Sequence, residues 1–365
     1  MILVINAGSS SIKTELFTPD LQSALTASIS EIGGAGQLTC GDAKSPVQTT
    51  DHAAALSLIL AALADAGHPL SGLTAAAHRV VHGGPDLTAP VRLTAASITQ
   101  IRACSPLAPL HNPANLAGID ALTRLAPALA QFASFDTAFH ASNDALETTY
   151  AIPQAERARN LRRYGFHGLS YAGMVRQFGA DLPDRLLALH LGNGASLCAI
   201  RSGKSVATSM GYSPLSGLVM GTRCGSIDGM AVLQLARDHG IDRAGAILNR
   251  ESGLKALTGT NDMATILSRD DADGRFAVAH FCYWAAREAG SAITAMGGVD
   301  AFAFTGGIGE NAAPVRNAIM AHLAFLGPLP VHIVPADEER QIAHDALSLM
   351  GHLDPARPDL TEPQP

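Results

Sequence analysis

Aromatic residues make up only 5% of this 365-residue chain and charged residues only 16%, so neither a coiled coil nor a charged, solvated tail is encoded. Apolar residues reach 47%, and that excludes disorder. Positive charge is scarce: 25 Lys and Arg stand against 32 Asp and Glu, a net charge of −7. No basic surface follows, so nucleic acid and anionic membranes are not expected partners, and an anionic substrate would need local positive charge. The five cysteines, Cys40, Cys104, Cys198, Cys224 and Cys282, are odd in number and scattered without a C-x-x-C pair. Neither a disulfide framework nor a structural zinc site is indicated, and a reducing cytoplasm fits best. No apolar run is long enough to span a bilayer; the longest, over 53–66, is broken by polar residues and Asp65. The opening Met1-Ile2-Leu3-Val4-Ile5 has no basic flank and no cleavage site, and reads as a buried strand.

What the chain does have is length for two cores and many turns, with 35 Gly and 20 Pro. Ile2 to Ile5 runs into Asn6-Ala7-Gly8-Ser9-Ser10-Ser11 and resumes as the alternating Ile12-Lys13-Thr14-Glu15-Leu16-Phe17, which reads as strand, glycine turn, strand. The pattern returns as Leu186 to Leu191, then Gly192-Asn193-Gly194-Ala195-Ser196, then Leu197 to Ile200. Gly192 follows Gly8 by 184 positions, about half the chain, and suggests two equivalent halves. The spacing predicts helices over 51–66, 97–104, 113–125, 144–149, 170–178, 229–239, 244–252, 276–296, 313–322 and 337–350. Strands are predicted over 75–81, 131–135, 301–305 and 330–334. Such alternation argues for an α/β fold. The last eleven residues hold four Pro and one Gln and read as a frayed end.

Glycine turns with consecutive N–H groups and hydroxyls can cradle phosphate oxygens. Three qualify: residues 6–13, where Lys13 can pair with a phosphate; residues 192–196; and Thr305-Gly306-Gly307-Ile308-Gly309-Glu310-Asn311 after an apolar strand and before a helix. Each alone is more simply a tight turn; three together point to a nucleotide. Gly307-x-Gly309-x-x-Ala312 also resembles a dinucleotide fingerprint, but no acidic residue ends a second strand about twenty residues on. No G-x-x-x-x-G-K-[ST] occurs, which excludes the P-loop class.

Arg79, in His78-Arg79-Val80-Val81-His82-Gly83-Gly84, and Arg223, in Gly221-Thr222-Arg223, sit among glycine and apolar residues. A guanidinium there is costly unless an anion pairs with it. They read as anion ligands or, equally, as partners of Asp136, Asp228 or Glu310 in structural ion pairs. His111, His167 and His190 each lie at a Gly or Pro turn beside an apolar strand, and no H-E-x-x-H exists, so a catalytic zinc is not expected. Asp136 ends an apolar run, the usual place of a site residue in α/β folds, or else caps a helix.

Taken in order, Asn6-Ala7-Gly8-Ser9-Ser10-Ser11-Ile12-Lys13, His78 to Gly84, Phe135-Asp136-Thr137-Ala138-Phe139-His140, Arg163-Tyr164-Gly165-Phe166-His167-Gly168, His190-Leu191-Gly192-Asn193-Gly194, Gly221-Thr222-Arg223 and Gly306-Gly307-Ile308-Gly309-Glu310-Asn311 resemble the acetate kinase family over nearly the whole chain. The resemblance implies the fold of the acetate and sugar kinase, Hsc70 and actin superfamily, two ribonuclease H-like α/β domains with an interdomain nucleotide cleft. The expected domains are 1–137 plus 338–355, and 138–337, with 356–365 a flexible tail. It implies reversible, Mg2+-dependent transfer of the ATP γ-phosphoryl group to acetate, giving acetyl phosphate and ADP. Asn6 and Glu338 would help hold Mg2+. Lys13, His190, Leu191, Gly192, Asn193, Gly194, Asp262, Gly307, Ile308, Gly309, Glu310 and Asn311 would bind the nucleotide. Arg79 would hold the substrate carboxylate, and Val81, Leu110, Phe166 and Pro214 would line a small apolar pocket for its methyl group. Asp136, His167, Arg223 and His111 would be catalytic.

A carboxylate with a pKa of about 4 to 5 is already ionised at neutral pH and needs no general base. The difficulty is anion repulsion, which Arg223, His167, His111 and Mg2+ would relieve around the transferred group, so Asp136 is expected to orient rather than to remove a proton. Two departures from the family pattern stand out: Ser226 where an Asp is usual, and Asp262-Met263-Ala264 where relatives carry Asp-x-Arg. The chain is also shorter than typical relatives. Expectations are a cytoplasmic homodimer acting on acetate. The alternatives are propionate or another short acid, a pyrophosphate donor, a non-catalytic nucleotide-binding protein of the same fold, and an NAD-dependent oxidoreductase.

Overall fold

The computed structural model describes residues 1–351; the expected tail over 356–365, and the last positions of the 338–355 segment, lie outside the described residues. The chain divides into two compact units. The first comprises Met1–Phe139, Gly168–Arg176 and the segment from Asp337 onward, and the second His140–His167 and Gln177–Ala336. Gly168–Arg176, expected within the domain 138–337, falls in the first unit, where Leu169 packs with Ile2, Val4, Phe17 and Phe132.

The strands are β1 (Ile2–Ala7), β2 (Ile12–Phe17), β3 (Ser23–Ser30), β4 (Ala35–Cys40), β5 (Ala43–Gln48), β6 (Ala75–Val80), β7 (Val91–Arg92), β8 (Ala130–Phe135), β9 (Arg185–Leu191), β10 (Ala195–Arg201), β11 (Lys204–Thr208), β12 (Ala301–Thr305) and β13 (Val331–Ile333). The first unit's sheet runs β5-β4-β3-β2-β1-β6-β8-β7 and the second's β11-β10-β9-β12-β13. Five strands repeat the same plan. In β3-β2-β1-β6-β8, as in β11-β10-β9-β12-β13, the first two pairings are antiparallel and the last two parallel. Both glycine turns read from the sequence close hairpins, Ile2 pairing with Phe17 and Ala195 with Leu191.

The physical reason for the sheet's burial is visible in β1. Leu3, Ile5 and Ala7 point to one face and pack with Leu56, Ile59 and Leu63 of the helix His52–Asp65 and with Ala121 and Leu122 of the helix Asn112–Leu125. Ile2 and Val4 point to the other, against Ile342, Ala346 and Leu347 of the helix Glu338–Leu349. A strand covered on both faces is apolar throughout, and that made it legible as a run. By contrast β5 lies at the sheet's edge with largely exposed side chains and carries Pro46 where the edge tolerates a missing donor, and β4 beside it buries only Gly36. Their polar composition hid them from the sequence reading, together with β3, β7 and β11. The expected helix over 244–252 is a helix Ile241–Ala246 continued by a π turn Ile247–Glu251. Thr305–Asn311, expected as a loop, becomes helical from Gly306.

Candidate active site

In the first unit the site residues sit at the C-terminal ends of neighbouring strands, where α/β sheets place ligands. Asn6 is the penultimate residue of β1 and pairs in register with Lys13 on β2. Arg79 lies near the end of β6, Asp136 follows β8, and Glu338 opens the helix Glu338–Leu349. The loop after β6 is held by side chains of the helix Asn112–Leu125: Asn112 Oδ1 accepts from His82 N at 3.0 Å and Asn115 Oδ1 from Val81 N at 3.1 Å. His111 stands at that helix's N-cap position, its carbonyl accepting from Ala114 and Asn115.

Arg79 and Asp136 form a bidentate pair, Nε to Oδ1 at 2.9 Å and Nη2 to Oδ2 at 2.6 Å. Arg79 Nη1 donates to Asn6 Oδ1 at 3.4 Å, and Glu338 Oε2 lies 3.9 Å from Nε. Both oxygens of the buried Asp136 are thus engaged by one guanidinium, so the ion pair that the sequence left open is present and the helix-cap reading of Asp136 is not. Burial works against the charge of Arg79, but Asp136 and Glu338 more than offset it, and its proton is held more tightly than usual. Burial pushes Glu338 up to about 7; Arg79 opposes that rise, and Asp136 and Glu339 add to it. Glu339 Oε1 also accepts from Asn6 Nδ2 at 3.5 Å. Asn6 Oδ1 and the Glu338 carboxylate are hard oxygen donors in an acid-rich corner, a set suited to a divalent cation completed by water and phosphate rather than by a protein cage. His78, next to Arg79, is not part of this chemistry: burial lowers it to about 4, and it bonds Gln131 Oε1 at 2.8 Å.

In the second unit His167, His190 and Arg223 gather around the turn between β9 and β10. His167 stacks on His190 with ring centroids 4.3 Å apart, and its Nδ1 lies 2.9 Å from Ser196 Oγ. A β-carbon on Gly194 would sit 3.2 Å from His167 Nε2 and 3.7 Å from Arg223 Nη1, so the turn must approach both groups as bare backbone. His167 itself has φ +59°, a left-handed conformation that costs energy in a non-glycine residue and clusters at functional sites. Arg223 Nη1 donates to Pro214 O at 3.1 Å. Gly221 lets the Arg223 loop cross the turn, because a β-carbon there would lie 2.1 Å from Asn193 Oδ1.

Beside this turn opens a cleft of about 590 Å³. The expected nucleotide residues Gly192, Asn193, Asp262, Gly307, Ile308 and Asn311 line it, with Ala264 exposed at its wall. Asn261, Met263, Leu267 and Pro314 line it too and were not foreseen; Asn261 and Met263 flank Asp262, the signal that would have found them. Among its lining residues none is cationic. Leu191 and Gly309 are buried in the unit's interior and Gly194 is not a lining residue. Glu310 caps its own loop, accepting from Gly306 N and Ala336 N at 2.9 Å each. Asp262 serves as the N-cap of the helix Met263–Leu267, with Thr265 holding its carboxylate below the usual range. Of the residues expected to line an acyl pocket, Val81 is buried and Leu110 45% exposed in the first unit. In the second, the Phe166 ring is fully buried, its carbonyl 2.9 Å from His140 Nε2, and Pro214 is half-buried.

The whole arrangement has counterparts. The family model of the acetokinase family matches residues 1–345. An acetate kinase of Nitrobacter hamburgensis is 38% identical over 393 residues, covering 96% of this chain and 96% of its own. A crystal structure of a propionate kinase from Francisella tularensis aligns with a TM-score of 0.90 at 34% identity, over 94% of this chain and 98% of its own. Porphyromonas gingivalis acetate kinase aligns at 0.88 and 30% identity, over 96% and 99%. With the ordered motifs, the duplicated sheet and these matches along its length, the chain belongs to the acetokinase family.

Proposed function

We propose that this protein is an acetate kinase, transferring the γ-phosphoryl group of ATP reversibly to acetate with Mg2+. The observation that carries the reading is the convergence of His167, Arg223 and the bare 192–194 turn beside a cleft walled by the expected nucleotide residues. Donors fixed in advance around a transferred group supply stabilisation without reorganisation at the moment of reaction. Arg223 and His167 neutralise the equatorial oxygens. Lys13 contacts the phosphates, and Asn6 and Glu338 would hold Mg2+, which would supply positive charge to offset that of the phosphates. Asp136 takes the Nε and one Nη2 hydrogen of Arg79, leaving donors on Nη1 and Nη2 for a carboxylate. Asp136 therefore orients the guanidinium; an acid already ionised requires no base.

The test is direct. Purified protein with Mg2+ and ATP is expected to form an acyl phosphate from acetate, and ATP from acetyl phosphate and ADP. No turnover with acetate, propionate or butyrate would end the kinase reading, and turnover with pyrophosphate but not ATP would change the donor. Propionate is expected to react more slowly, since one methylene is worth about 1 to 3 kcal/mol.

The cleft's lack of a cation at Ala264 leaves the base without a guanidinium to stack on. Ala264→Arg is expected to lower the KM for ATP about two- to fivefold through cation–π contact, with kcat unchanged; steady-state kinetics check it.

A homodimer interface on the helix Gly229–His239 is supported by its apolar side chains: the helix buries none of its own residues within the chain and exposes Met230 by 63% and Leu233 by 50%, with Ile241 just beyond it exposed by 82%. Apolar patches of this kind mark association surfaces. The double substitution Met230→Asp, Leu233→Asp is expected to halve the mass seen by light scattering. The five cysteines are unpaired, and a reducing, ATP-rich cytoplasm suits them.

A further inference from the structure

The second unit holds a separate cavity of about 410 Å³ that the kinase reading does not use. Its walls come from Glu147 and Thr149 near the helix Ala145–Thr148, from Arg163, from the β11 end at Thr208 and Ser209, and from Glu288 and Ser291 on the helix Ala272–Met296. Hydroxyls and charges make up most of the lining, an unusual surface to enclose without a ligand.

The charges are not closed into ion pairs. Glu147 Oε1 accepts only a long bond from Thr208 N, at 3.5 Å, and Glu288 has no hydrogen-bond partner among the described residues. The guanidinium of Arg163 lies 5.0 Å over the Tyr150 ring and makes no side-chain hydrogen bond among the described residues. Both glutamates are raised above the usual carboxylate range chiefly by burial; Arg163 opposes the rise in each, Arg287 opposes that of Glu288 as well, and Glu288 adds to that of Glu147. The three groups thus feel one another across the same space. Among the lining residues two carboxylates face one guanidinium; Arg287, which also acts on Glu288, lies 4.5 Å over the Trp284 ring and is not a lining residue. Arg163 already faces two carboxylates, so an anionic ligand group would be repelled. Thr208 Oγ1 donates to Leu197 O at 2.9 Å, while Ser209 Oγ accepts from Leu197 N at 3.0 Å and Ser226 Oγ from Gly217 N at 3.1 Å. Ser216 and Ser291 make no side-chain hydrogen bond among the described residues and remain available to a hydroxylated partner. A bare alkali ion would leave most of 410 Å³ unfilled, whereas the volume matches a small organic molecule.

We propose that this cavity binds a small organic ammonium ion, its charged nitrogen between Glu147 and Glu288. The site rests on the second unit alone and stands or falls independently of the kinase activity.

Titration calorimetry and thermal shift in phosphate buffer, free of amine buffers, would test it with ethanolamine, putrescine, agmatine and spermidine. Ethylene glycol, glycolate and potassium chloride at matched ionic strength are the controls. At least one amine is expected to bind with a Kd below about 1 mM, and Glu147→Gln and Glu288→Gln, folded by circular dichroism, are each expected to weaken it tenfold or more. No binding by any amine, equal stabilisation by potassium chloride, or affinity retained in both glutamine variants would overturn the proposal.

Discussion

Arg223→Ala is expected to lower kcat by about 10³ with a much smaller change in KM, because the guanidinium is needed where charge develops and not where the nucleotide first docks. The geometry supports that division. Arg223 is held by the Pro214 carbonyl and stands against the bare backbone of Gly194, beside His167, and is not among the residues that line the cleft. Steady-state kinetics in both directions read the effect. A variant at near the parent rate would remove Arg223 from the mechanism, and a large KM effect at constant kcat would move it to ground-state binding. Arg223→Lys should recover little, since a point charge on a flexible stem does not reproduce the fork of donors.

Arg79→Leu is expected to abolish measurable acyl-phosphate formation and to destabilise the first unit by about 3 kcal/mol. The second effect has a specific cause. Asp136 is buried with both oxygens on Arg79, and Glu338 and Glu339 lie close by, so removing the guanidinium leaves a cluster of carboxylates in which Lys13 is the other cation acting on Glu338. For a unit of this size the corresponding drop in melting temperature is about 6 to 12 °C, read by calorimetry. The double variant Arg79→Leu, Asp136→Leu should recover part of that stability and none of the activity, which separates the structural role of the pair from its role toward substrate. An unchanged melting temperature in Arg79→Leu would mean that water already compensates Asp136.

The uneven legibility of the chain follows from burial. β1, β6, β8, β9 and β12 are covered on both faces, so their sequences are short apolar runs ending in Asn, Asp or glycine turns, and those turn residues make up the proposed site. The strand β4, the edge strand β5 and the two-residue β7 bury too little to leave an apolar signature; pairing with a neighbour defines them instead. The same logic applies to the site. Gly192, Asn193, Asp262 and Gly307 could be picked out because glycine, amide and carboxylate at turns ask for an explanation, whereas Met263, Leu267 and Pro314 look like any core residue until the cleft places them at its wall. Phe166 and Leu191 show the opposite failure: they stand inside informative motifs, yet their side chains fill the core.

By itself the sequence determined the family, the repeated hairpin and the strand-end positions of Asn6, Arg79, Asp136 and His190, because burial forces apolar runs and chemistry is left to the residues that end them. Only the tertiary structure decided what each charge does. The partner of Arg79 is Asp136, 57 positions away, and Glu338 reaches the same group from the far end of the chain; Glu310 turns inward to cap its own loop, and Glu147, Arg163 and Glu288 share a cavity. Coulombic partners are set by distance in space, and no local pattern along the chain encodes that distance.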